Sequence, residues 1–180
     1  MLRAYLRLAL FAVGLLAGIQ VPGFADQYAK RVSAHYIEVT KNFAGLQRTA
    51  DQYFGGSIDA LLAHHESSTD SVFKDEAKSI RAMYARLQRL ALELAAMDQS
   101  MLNRILHVAF RPDKEILNET LSEYSYTVPL SPEAILCGVT TGLLLALVIE
   151  LILVGLGRVA QTLLAGARST TSAAAAQRRY

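Results

Sequence analysis

A single cysteine in 180 residues excludes a disulfide framework and any multi-cysteine metal site. Four prolines and eleven glycines are too few for a collagen-like or proline-rich chain. A dominant charge is missing too. Eighteen Lys and Arg stand against sixteen Asp and Glu, a formal net charge of +2, and 52% of the residues are hydrophobic. That combination excludes a disordered acidic or basic tail protein. The chain has no GxSxG, no GxxxxGK[ST], and no GxGxxG opening a helix after a strand. An enzyme active site is therefore not expected, and no cofactor is called for.

What the chain does have is segregation. Apolar residues gather at the two ends and charge gathers in the middle. From Leu8 to Ala25 no residue is charged, with Arg3 and Arg7 before the run and Asp26 after it. Eighteen helical residues span roughly 27 Å, close to the thickness of a bilayer's hydrocarbon core. The second run begins at Ser131-Pro132-Glu133, where Ser131 suits an N-cap and Pro132 the first helical position. It continues to Arg158 with Glu150 as its only internal charge. Both runs read as membrane-spanning helices. The first also fits a signal peptide, with Gly23-Phe24-Ala25 as a small-x-small cleavage site before Asp26.

A depth match favours an anchor over a cleaved signal. Gly14 and Gly18 form one GxxxG pattern, Gly138 and Gly142 another. In antiparallel helices Gly18 can face Gly138 and Gly14 can face Gly142, and small residues there permit close backbone approach. The same register brings Arg7 and Glu150 to similar depth. A charge within a membrane helix is costly unless paired or hydrated, so an Arg7–Glu150 ion pair is one expectation. The other is that Glu150 snorkels or meets water at a partner interface. Arg3, Arg7, Arg158, Arg168, Arg178 and Arg179 flank the runs, and the positive-inside rule then puts both termini in the cytoplasm. The middle, with twelve basic and fourteen acidic residues, falls on the far side. The lack of cysteine pairs suits a periplasm better than a eukaryotic secretory compartment, so a bacterial inner membrane is the expected location.

No proline occurs between Asp26 and Pro112. Val32, Tyr36, Val39, Phe43, Leu46, Ala50 and Tyr53 recur at alternating steps of four and three. Phe73, Ile80, Leu87, Leu94, Met101 and Val108 recur every seven, with Met83, Leu90 and Met97 three positions on. A period of 3.5 argues for coiled-coil-like packing. Gly55-Gly56 end the first long helix. Ser57 can cap a short helix over Ile58–His65, and polar turn sequence runs from Ser67 to Ser71. A second long helix should run from near Ser71 to just before Pro112, followed by a short one over Asp113–Tyr124. The long helices, roughly 29 and 39 residues, would measure about 43 and 58 Å. Pro22-Gly23 mark a kink or hinge.

The expected fold class is thus all-α: two transmembrane helices joined by an extramembrane antiparallel coiled-coil-like helical hairpin. The divisions are 1–25 (first membrane helix or signal anchor), 26–132 (periplasmic hairpin), 133–157 (second membrane helix) and 158–180 (a mobile basic cytoplasmic tail).

The remaining chemical groups read mostly as structural. His64 and His65 are adjacent and point about 100° apart, so they do not converge on one metal as an i, i+4 pair would. His35 and His107 stand isolated in the sequence. Cys137 lies within the second apolar run, where its thiol is a packing residue. Lys78, Arg81, Arg86 and Arg89 alternate with Asp75, Glu76, Glu93 and Asp98, a solvated face with no nucleic-acid character. Tyr53 and Phe54 at the distal tip either cap the hairpin core or offer a partner a docking point.

Two segments carry a family resemblance: Gly18-Ile19-Gln20-Val21-Pro22-Gly23-Phe24-Ala25-Asp26-Gln27-Tyr28 and Ala50-Asp51-Gln52-Tyr53-Phe54-Gly55-Gly56-Ser57. They resemble the bacterial membrane-protein family named domain of unknown function 2937, over nearly the whole chain apart from the tail after Ala165. The resemblance implies a small bacterial membrane protein and brings no activity and no site residues with it. The expected role is an accessory or scaffold subunit of an envelope complex, partnered by membrane lipid and by a second copy or another envelope protein. The alternative is an oligomeric pore or transporter accessory component.

Overall fold

In the computed structural model residues 2–177 are described, with side chains for residues 4–155 and Arg158. Among the described residues there are six helices and no strand. They are α1 (Leu2–Tyr53), α2 (Ile58–Glu66), α3 (Ser71–Met97), α4 (Met101–Phe110), α5 (Lys114–Ser122) and α6 (Pro132–Gln177). The chain forms two compact units. Unit 1 comprises Met1–Val21 and Val128–Tyr180, and unit 2 comprises Pro22–Thr127.

Unit 1 pairs the first part of α1 with α6. Ser131 caps α6, its Oγ accepting the Ala134 N–H at 3.3 Å, and Pro132 takes the first helical position, where a missing N–H costs nothing. Each apolar run lies in a helix long and apolar enough to cross a membrane. Helix α6 continues to Gln177, past the expected end of the span at residue 157. The expectations for Arg168, Arg178 and Arg179 fall outside the residues whose side chains are described.

Unit 2 is built from the rest of α1 and from α2–α5. Helix α1 runs through Pro22 without interruption. It ends where Gly55 and Gly56 take positive φ, 58° and 83°, and the Gly56 N–H returns to the Ala50 carbonyl at 3.0 Å. An L side chain rarely adopts that backbone, so the paired glycines stop the helix. Ser57 then caps α2 by accepting the Ala60 N–H at 3.1 Å. Asp70 caps α3 by accepting the Val72 N–H at 2.8 Å.

The expected 39-residue second helix is two helices. Asp98 closes α3, and Ser100 opens α4 by accepting the Asn103 N–H. The apolar period hides this break, because Val108 on α4 is buried in the same core as Met97 on α3. A serine N-cap lets a new helix start and turn while the seam continues.

Two apolar clusters hold unit 2 together. In one, Tyr28, Val32 and Val39 of α1 meet Leu90, Met97, Val108 and Ile116, all buried. In the other, Phe43 and Ala50 meet Ile58, Leu61, Leu62, Ala77 and Ile80. The Phe43 and Tyr84 rings stack at 5.4 Å. Burial of seven such side chains per cluster contributes on the order of 10 kcal/mol before ordering costs.

Candidate functional site

In unit 1 the four glycines of the two GxxxG patterns lie at close backbone contacts. A Cβ added to Gly14 would sit 2.8 Å from the Gly142 Cα, and one added to Gly18 would sit 2.8 Å from the Gly138 Cα. A Cβ on Gly138 would come within 2.8 Å of the Leu15 carbonyl oxygen, and one on Gly142 within 2.8 Å of the Phe11 carbonyl oxygen. No side chain other than hydrogen fits at such distances, so the sequence of small residues sets how closely α1 and α6 approach. Arg7 Nη1 and Glu150 Oε2 are 3.5 Å apart at the edge of the same pair, beside a cleft also lined by Leu6, Leu10 and Ile149. The other faces of these helices expose Leu8, Val13 and Leu16 on α1 and Leu136, Leu143, Leu147 and Leu151 on α6. Only 28% and 17% of the two most apolar windows are buried. The core helix of a soluble domain would be mostly buried instead. Cys137 is half-buried on α6 and free.

Unit 2 holds a continuous belt of polar side chains, and here the structure corrects the sequence reading. His35 and His107 are not isolated. His107 Nε2 donates to Glu93 Oε1 at 2.9 Å, and the fully buried Tyr28 hydroxyl donates to the same oxygen at 2.5 Å. That hydroxyl also accepts the Asp113 N–H at 2.8 Å. The Asp113 carboxylate caps α5, accepting from the Glu115 and Ile116 N–H groups, and its other oxygen lies 3.0 Å from Arg89 Nε. Arg89 and Arg86 both reach Glu115, at 2.8 and 2.9 Å. Arg86 Nη2 lies 3.3 Å from His35 Nδ1, and His35 Nε2 lies 2.7 Å from Glu119. Arg31 closes the series with Glu119 and Glu123, at 2.7 and 3.1 Å.

The chemistry follows from this order. A guanidinium facing His35 Nδ1 donates into a lone pair, which assigns the ring proton to Nε2, toward Glu119. The bond from His35, helped by Arg31, holds the Glu119 carboxyl below its ordinary value of 4.5. Burial, reinforced by the bond to Glu93, pushes the Tyr28 hydroxyl far above its ordinary 10.0. Burial works against the Arg31 charge, yet its bonds to Glu123 and Glu119 prevail and raise its pKa above the ordinary arginine value. Arg86 and Arg89, read from sequence as part of a solvated face with Glu93, instead join α3 to α5, while Glu93 is buried.

At the tip, Tyr53 and Phe54 separate. Phe54 packs on the second cluster and on the His64 ring, 5.4 Å away, whereas Tyr53 is exposed and its hydroxyl accepts from Gln52. The His64 and His65 rings are 6.1 Å apart, and His65 Nδ1 bonds back to the Leu61 carbonyl. Among the described residues no group of three His, Cys, Asp or Glu could hold a metal ion. Arg81 pairs with Glu66 and Lys78 with Asp75, both at the surface.

Taken together, this is an all-helical protein with two helices apolar enough for a membrane and a separate helical unit bearing a polar belt. The family model described as protein of unknown function (DUF2937) matches residues 2–162, and the chain belongs to that family. No match to it was found among curated proteins or among solved structures.

Proposed function

We propose that the protein is a two-span membrane protein of the bacterial inner membrane. Unit 2 stands on the periplasmic side, both termini are cytoplasmic, and the chain acts as a scaffold or accessory subunit in an envelope complex. The observation that carries the membrane reading is the pairing of glycine-to-backbone contacts inside unit 1 with an apolar outer surface. Helices that pack through small residues and turn leucine outward are solvated by lipid better than by water. The basic residues flanking both runs support the orientation.

The scaffold reading rests on how unit 2 uses its polar groups. Tyr28, Glu93, His107 and Asp113 bond one another in the interior, and the arginines around them are engaged with carboxylates. Residues 28, 35 and 43 of α1 meet residues 93, 86 and 84 of α3, the order of antiparallel neighbours. A rigid hairpin-like column tied by such a network, in which Arg86 Nε is buried without a partner, suits a spacer or docking element. Exposed Tyr53 at its tip is a natural contact for a partner or for a second copy.

The test is purification of the full chain from native membranes in mild detergent, with mass spectrometry and solution mass determination. Stoichiometric recovery of one envelope protein, or a defined oligomer, is expected. A monomeric chain recovered alone at native expression would contradict the reading. Ion flux in liposomes that is abolished by Glu150→Ala would favour the pore alternative instead.

A further inference from the structure

One ring nitrogen in unit 2 faces two groups that make opposite demands on it. His35 lies on α1 with its side chain 21% exposed, enough for a proton to reach it from water. Its Nε2 points at Glu119 on α5, 2.7 Å away. Its Nδ1 has two neighbours. Arg86 Nη2, from α3, is 3.3 Å away, and Glu38 Oε2, one turn further along α1, is 3.7 Å away. A guanidinium only donates, and an ionised carboxylate only accepts. A bare Nδ1 therefore bonds Arg86 and not Glu38. A protonated Nδ1 bonds Glu38 and not Arg86, because its lone pair is gone and the positive ring repels the guanidinium.

The remaining charges around the ring favour such an exchange. Arg86 has a second acceptor, Glu115 of α5, at 2.9 Å, and its Nε is buried without a hydrogen-bond partner. It thus keeps an ion pair when His35 stops accepting. Arg31, one turn before His35 on α1, is held by Glu119 and Glu123 of α5. His107 supplies the contrast. Its Nε2 also meets a carboxylate, Glu93, but among the described residues no guanidinium bonds its ring, so gaining a proton costs it no bond.

We propose that His35 is a proton-operated selector between two polar contacts of α1. Neutral, it accepts from Arg86 and ties α1 to α3. Once it has taken a proton from solvent, it turns Nδ1–H to Glu38, keeps Glu119, and releases Arg86 to Glu115. Imidazole is the side chain whose ordinary titration falls between about pH 5 and 8, so mild acidification drives the exchange. Arg86 stands next to Leu87, which with Met83 packs against both apolar clusters. Acid thus removes a polar tie between α1 and α3 at the level where the clusters meet, and leaves α1 tied to α5. Every group involved lies in unit 2, so the exchange is independent of the membrane reading.

The test is nitrogen NMR of the full chain in detergent micelles, isotope-labelled at histidine and arginine and scanned from about pH 8.5 to about pH 5. The His35 signals are those lost in His35→Gln, or, if that variant does not fold, those that survive when His64, His65 and His107 are replaced by Gln in turn. The Arg86 signals are those lost in Arg86→Lys. At the alkaline end His35 should carry its proton on Nε2, with Nδ1 bare. At the acid end both nitrogens should be protonated, and the Arg86 signals should move with the same midpoint. Glu38→Gln, at an exposed position, should lower that midpoint. A proton on Nδ1 at the alkaline end would overturn the proposal. So would Arg86 signals that stay fixed while His35 titrates, a His35 that keeps one protonation state throughout, or a midpoint that Glu38→Gln leaves unmoved.

Discussion

Replacing Tyr28 by phenylalanine removes one oxygen atom and leaves the ring in place, so the change isolates the polar network from the packing. The Tyr28 hydroxyl is fully buried, donates to Glu93 at 2.5 Å and accepts the Asp113 N–H at 2.8 Å. A hydrogen bond to a charged acceptor contributes about 1.5–3 kcal/mol, and an orphaned buried N–H costs about 1–3 kcal/mol. Glu93 keeps its bond from His107, and the Asp113 N–H can still approach Glu93 Oε1, 3.5 Å away, so the two losses overlap in part. The expected destabilisation is about 3 kcal/mol. Hydrogen exchange of the full chain in detergent micelles reads it directly: core amides of α3 around Leu90 should exchange roughly a hundredfold faster in Tyr28→Phe. Tyr36→Phe, in the same helix and cluster, is the control and should change exchange little. Exchange within about twofold of the parent protein in Tyr28→Phe, equivalent to less than about 0.5 kcal/mol, would refute the claim that the belt is structurally coupled.

Other perturbations separate the two units. Gly142→Val should sharply lower accumulation of the chain in membranes, because its Cβ would press on the Phe11 carbonyl oxygen; normal abundance by immunoblot would argue against close helix packing. Gly45→Ala, where a Cβ meets nothing within 4 Å, should stabilise unit 2 by about 0.5–1 kcal/mol in a urea titration. Alkaline pH should destabilise unit 2. The folded Tyr28 keeps its proton where the unfolded one ionises, so stability is full below about pH 10 and declines above it, less steeply in Tyr28→Phe. Acid has the opposite sign at Glu119. Its lowered value gives stability present above pH 4.5 and lost as pH falls below it, and Glu119→Gln should flatten that part of the profile measured by thermal melting.

How much of this was legible in sequence depended on range. Local signals carried the element ends: Gly55-Gly56, Ser57 and Ser131-Pro132 each act on backbone within a few residues, and each marks a terminus in the structure. The apolar period marked positions that the core uses, among them Val32, Val39, Phe43, Ile80, Leu90 and Val108. It could not reveal the α3–α4 break, because Met97 and Val108 keep the seam on both sides of Ser100. Nor could it reveal the polar belt. The partners His107–Glu93, Arg86–Glu115 and His35–Glu119 are separated by 14, 29 and 84 residues, and no local rule pairs a charge with one so distant. An isolated histidine in sequence was half of a pair in space.

The central claim is that α1 and α6 both cross a membrane, with unit 2 on one side and the chain's two ends on the other. The most direct measurement is thiol labelling of intact cells expressing the full Cys137→Ser chain with Ser68→Cys in unit 2 or Ser172→Cys near the C-terminal end. A membrane-impermeant reagent should label Ser68→Cys once the outer barrier is opened, and Ser172→Cys only after the inner membrane is permeabilised. Equal labelling of both sites before permeabilisation, or recovery of the chain in the soluble fraction, would contradict the account.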